Sequence, residues 1–137
     1  TKVFCVGALC LISLLMCGCG DDGDDTESLY EDLAGTYRLI RAELTFPNRP
    51  KMALEVPDAT GIMELSSSRR VAQTVTVLGV TIQMTGTYEV HPESREILFT
   101  NDPGGIISRA TYTWDGKTLT TTVQTANFTE KDTWRKQ

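Results

Sequence analysis

Downstream of residue 35 the apolar residues recur at every second position rather than at helical spacing, and the positions between them are mostly Thr, Ser, Gln, Arg and Glu. Val75 and Val77 share one side of a segment, and Ile82, Met84, Tyr88 and Val90 share one side of the next. Ala110, Tyr112 and Trp114, then Leu119, Thr121 and Val123, continue the pattern. A side-chain period of two belongs to strands that bury one face and wet the other. The alternation therefore predicts eight strands, over residues 36–46, 61–66, 71–78, 80–90, 96–100, 106–114, 117–124 and 128–135. They are rich in Thr, Val, Ile and Tyr, which suit a pleated surface. The breaks carry turn chemistry: Gly79, His91-Pro92-Glu93-Ser94, Asn101-Asp102-Pro103-Gly104-Gly105 and Asp115-Gly116. Connections this short make neighbouring strands antiparallel.

The first strand breaks its own alternation, with Tyr37 and Leu39 on one side but Ile40, Ala42 and Leu44 on the other, which places a bulge near Leu39. Residues 47–59, with Pro47, Pro50 and Pro57, read as a loop over one end of the fold that is neither strand nor helix. Ser28-Leu29-Tyr30-Glu31 matches a capping box and predicts a helix from residue 29 to about 33, stopped near Gly35. Eight hairpin-linked strands either close into a barrel, which removes exposed edges, or stack as a sandwich. Greek-key crossovers need longer connections, so the expected fold is all-β, an antiparallel up-and-down eight-stranded barrel.

Charge changes the picture at one end only. Of 18 acidic residues in the 137-residue chain, seven (Asp21, Asp22, Asp24, Asp25, Glu27, Glu31 and Asp32) lie in one short stretch. The remainder is close to neutral and lacks the basic surface that nucleic acid requires. All four cysteines (Cys5, Cys10, Cys17, Cys19) fall in the first nineteen residues and there is one histidine. A Cys/His zinc site or a disulfide scaffold in the body is thereby excluded, and no metal or cofactor is expected.

Lys2 precedes an apolar run from Val3 to Met16, too short to span a bilayer and arranged as a secretory signal peptide. Leu15-Met16-Cys17-Gly18-Cys19 resembles the lipobox of bacterial lipoproteins, in which a small residue stands before the cysteine that is lipidated. Gly18 before Cys19 fits that pattern, and Met16 before Cys17 does not; simple secretion is the alternative. The expected organisation is a lipoprotein signal peptide over 1–18, an acidic lipidated tether over 19–28 and a barrel domain over 29–137. Like charges and glycines make the tether extended and hydrated, without the bent frame of a calcium loop. The expected location is the bacterial cell envelope, lipid-anchored at the outer membrane or cell surface.

Leu33-Ala34-Gly35-Thr36-Tyr37, a helix running into a Gly-x-aromatic at the first strand, resembles the opening of lipocalin-like proteins, whose motif is Gly-x-Trp. Tyr112-Thr113-Trp114-Asp115-Gly116-Lys117-Thr118-Leu119 followed by Thr133-Trp134-Arg135-Lys136 is similar to the closing hairpins of small bacterial lipocalin-like lipoproteins. The resemblance implies a basic residue packed over the aromatic at the closed end, carried here by Arg135 and Tyr37. It also implies a calyx for a small apolar molecule. The expected lining is Met63, Leu65, Val75, Val77, Ile82, Met84, Tyr88, Tyr112, Trp114, Leu119 and Val123, all of which ordinary core packing would equally explain.

No residue set reads as catalytic. His91 sits in a turn beside Glu89 and Glu93 with no companion nucleophile, and no hydrolase elbow, phosphate loop or dinucleotide fingerprint occurs. Glu130 and Asp132 alternate with Phe128 and Trp134 and could carry two carboxylates toward the barrel mouth. Ser66-Ser67-Ser68-Arg69-Arg70 reads as a polar hairpin tip, or as a pair of guanidiniums for an anion. Asn127-Phe128-Thr129 fits a glycosylation sequon that a bacterial setting makes incidental. The expected function is binding of a small hydrophobic or amphipathic ligand without catalysis. The alternative is a tethered protein-interaction module with a solid barrel core, using residues 47–59 against an unidentified envelope protein.

Overall fold

The computed structural model describes residues 26–137. The expected signal peptide, Cys19 and the acidic stretch up to residue 25 lie outside the described residues. A helix, α1, covers residues 26–33. Nine strands follow: β1 (Gly35–Thr45), β2 (Met52–Leu54), β3 (Ala59–Leu65), β4 (Arg70–Val77), β5 (Val80–His91), β6 (Glu96–Asn101), β7 (Ile107–Trp114), β8 (Thr118–Gln124) and β9 (Thr129–Lys136). Each strand from β3 to β8 pairs antiparallel with the next, β1 pairs with β3, and β1 also pairs with β9 over Tyr37 to Thr45. These pairings close an eight-stranded up-and-down barrel, with β2 an extra short strand on the outer end of β1.

All eight expected strands are present, because their alternation and turn residues are local properties of the chain. The bulge is present too: the β1–β9 register shifts between Leu39 and Arg41, which returns Ala42 to the buried face shared by Tyr37 and Leu39. Other expectations need correction. Residues 47–59 are not wholly loop, since Met52, Ala53 and Leu54 pair with Leu44, Glu43 and Ala42. Glu43 helps hold that segment: its carboxylate accepts from Lys51 at 2.9 Å and Arg41 at 3.0 Å, and Arg41 also reaches Glu55 at 3.2 Å. Ser28 is not a helix cap, because the helix already runs through residues 26–28.

Helix α1 lies across the barrel end where β1 starts. The Val90 amide donates to the Tyr30 hydroxyl at 2.9 Å, Tyr37 donates its hydroxyl proton to the Leu33 carbonyl at 2.6 Å, and Lys136 Nζ donates to the Asp32 carbonyl at 2.7 Å. Arg69 stacks 4.5 Å over the Tyr30 ring and pairs with Glu27 at 2.9 Å. The cation at this closed end is Lys136, not Arg135. Strand alternation puts Trp134 and Lys136 on the inner side and turns Arg135 to solvent. Lys136 Nζ sits 5.8 Å from the Trp114 ring centre, and Trp114 meets Tyr37 edge-on at 6.0 Å. The Lys136 stem crosses Gly35, where a methyl group would lie 2.6 Å from Cε and where φ is +151°, so both space and backbone call for glycine.

Candidate functional site

The two ends of the barrel are filled differently. Tyr37, Leu65, Tyr88, Val90, Ile97, Tyr112, Leu119 and Trp134 are buried together beneath the helix and pack the closed half. Toward the open end, bounded by residues 46–58, 78–79, 102–106 and 125–128, the inward side chains include Val75, Val77, Ser108 and Val123, smaller than the tyrosines and tryptophan of the closed half. They leave a cavity of about 310 Å³ whose wall includes Met63, Val75, Val77, Ile82, Met84 and Val123. Ile82, on its wall, is 64 % exposed, and Leu78, Val80 and Ile106 in or beside the open-end turns are 61 to 67 % exposed. A larger concavity, about 780 Å³, lies on β1 and β3–β5 with Arg38, Ile62, Glu64, Thr74 and Thr76 along it. It lies on the outer face of the strands and is the more open of the two, so the interior cavity is the better candidate ligand site.

Of the eleven residues expected to line a calyx, six do so, namely Met63, Val75, Val77, Ile82, Met84 and Val123. Leu65, Tyr88, Tyr112, Trp114 and Leu119 do not; they belong to the packed half, and Trp114 closes its far end. Strand parity places a side chain inside or outside but does not say at what height. Trp134 rather than Trp114 reaches the cavity, standing as its floor. Gln73, Asn101 and Ser108 also line it and were missed, although each shares parity with apolar neighbours: Val71 and Val75, Ile97 and Phe99, Ala110 and Tyr112.

Glu130 and Asp132 both enter this cavity. Asp132 stands opposite Thr121 on β8 and Ala42 on β1; Glu130 stands opposite Val123 and Leu44. Burial, then the adjacent Glu130 charge and carboxyl group, push Asp132 up to about 7, and burial also raises Glu130. Asp132 Oδ1 and Asn101 Oδ1 are buried without a hydrogen-bond donor. The other polar candidates are spoken for at the surface. Arg69 is held by Glu27 and Tyr30, Arg70 pairs with Asp102 at 2.6 Å, and His91 pairs with Glu89 at 3.0 Å. Among the described residues no group of three or more His, Cys, Asp or Glu side chains could hold a metal ion.

The raised Asp132 gives a signed pH dependence. The folded chain keeps this proton up to about pH 7 while the unfolded chain releases it near 3.8, so stability falls as pH rises through that window. Asp132→Asn should remove the slope, stabilising the protein at about pH 8 by about 2 to 4 kcal/mol relative to wild type, with little change at about pH 4. Urea unfolding at the two pH values checks this; equal wild-type and variant slopes would contradict it.

Comparison of the chain with protein-family models gives no match, and comparison with curated proteins gives none either.

Proposed function

We propose that this chain is a lipid-tethered envelope protein, anchored through Cys19, whose lipocalin-like barrel holds a small hydrophobic or amphipathic molecule and performs no covalent chemistry. One observation carries the reading: toward its open end the barrel interior leaves a cavity of about 310 Å³ walled by Met63, Val75, Val77, Ile82, Met84 and Val123. Small-molecule sites are concave and largely apolar with a few placed polar groups, which describes this cavity. The helix over residues 26–33 covers the end opposite the mouth.

Native mass spectrometry of the full chain taken from its own envelope should show a retained small molecule. Met84→Trp should lower that retention with little loss of stability, because the added ring occupies free space. In a solid barrel the same change would overpack the core by about 1 to 3 kcal/mol. A second reading has its own observation: β2 pairs only with β1, and Met52 on it is 42 % exposed. A partner's extended segment could add to that edge. Absence of any bound molecule together with a destabilised Met84→Trp would favour this interaction module.

A further inference from the structure

The cavity's polar groups share a deficit. Its lining includes no arginine, lysine or histidine, yet it includes Glu130 and Asp132. The outer-face acid Glu43, by contrast, has Arg41, Lys51 and Lys131 around it. Across the strands on either side, Glu130 and Asp132 meet Leu44, Val123, Ala42 and Thr121, all neutral. Carboxylates removed from water without a counter-ion are costly, so a buried pair of them is ordinarily matched by a cation. Two acceptors are also unmet. Asn101 Oδ1 and Asp132 Oδ1 are buried acceptors that no donor reaches, and Thr121, 8 % exposed, faces the same space. The site offers two unmet acceptors and negative charge without positive.

The cavity is also polarised from side to side. Strand order around the closed barrel sets β9 diametrically across from β5. The two carboxylates therefore face Ile82 and Met84, with Val75 and Val77 of β4 alongside. We propose that the natural occupant is an amphipathic amine, its ammonium group held by Glu130 and Asp132 and its apolar part laid against Val75, Val77, Ile82 and Met84. This rests on the ligand-binding reading above and narrows its ligand class. An ammonium brings several N–H donors and the missing charge together. A neutral alcohol brings one donor and no charge, and a fatty acid brings a third carboxylate into a site that already strains to hold two.

The test uses the full chain carrying Trp114→Phe, so that Trp134 in the cavity floor is the sole tryptophan and its emission reports occupancy. Octylammonium, octanol and octanoate share one chain and differ only in head group. At about pH 8 octylammonium should bind at least about tenfold more tightly than octanol, and octanoate should not bind. Glu130→Gln combined with Asp132→Asn should weaken octylammonium by at least about tenfold while sparing octanol. A titration needs no further variant. Octylammonium affinity should drop between about pH 8 and about pH 5 as Asp132 takes up its proton, while octanol affinity stays level. Equal binding of octylammonium and octanol, unaffected by pH or by the double substitution, overturns the amine assignment and leaves the ligand-binding reading standing. Failure of all three probes to alter Trp134 emission, in the parent and the double variant alike, removes both.

Discussion

Gly86→Ala is expected to destabilise the domain by about 3 kcal/mol, the upper part of the range for forced overpacking. Gly86 lies mid-strand in β5, paired with Val71 on one side and Asn101 on the other. An alanine methyl there would fall on the carbonyl oxygen of Thr100, with the Thr100 carbonyl carbon and Asn101 Cα close behind. These are backbone atoms of a hydrogen-bonded neighbour, so no side-chain rotation relieves the clash and β5 and β6 must move apart. Glycine in a strand interior marks such a close approach. Gly61→Ala is the control: its new methyl would meet Leu39 Cβ, the Thr74 carbonyl and the Trp134 ring at 3.2 Å, where small shifts suffice. Urea midpoints of the two variants should differ clearly. A Gly86→Ala midpoint equal to wild type would mean the strands are not this close.

Trp134→Ala should cost about 3 to 5 kcal/mol, the range for deleting a large buried aromatic. Trp134 is 1 % exposed and stands between the packed half and the cavity, across from Leu39 on β1 and Leu119 on β8. Its loss removes buried area and joins a new void to the existing one. Trp114→Ala should cost less, since Trp114 is only partly buried and its ring is held by one edge contact with Tyr37 and by Lys136. Thermal and urea unfolding of the pair decides the order. If Trp114→Ala were the more damaging, the packed half would depend on its closing end and not on the ring at its centre.

That order runs against what alternation alone suggests, because both tryptophans face inward and only height in the barrel separates them. Eight strands, their antiparallel order and the β1 bulge were legible in the chain, since period two, Gly/Asn/Asp turns and a parity flip at Ile40 are all read within a few residues. The carboxylates Glu130 and Asp132 were legible as inward-facing for the same reason. β2 was not, because three residues between Pro50 and Pro57 carry no alternation and become a strand only by meeting Leu44, Glu43 and Ala42 of β1.

The cavity and its chemistry belong to tertiary structure. Whether an inward residue packs or lines empty space depends on which side chains from the other strands reach the same level, and that is set by strand tilt and stagger when β9 closes on β1. Closure put Leu65, Tyr88, Tyr112, Trp114 and Leu119 in the solid half and left Val75, Val77, Ile82 and Met84 around the void. It chose Lys136 over Arg135 as the closing cation, because only the former's stem crosses Gly35 to reach Trp114 and the Asp32 carbonyl. It also turned Asp132 from an ordinary strand acid into one that holds its proton to about pH 7, since desolvation is a property of the surroundings and not of the residue. The sequence by itself determined which face of each strand is inside; the meeting of strands far apart in the chain decided what that inside contains.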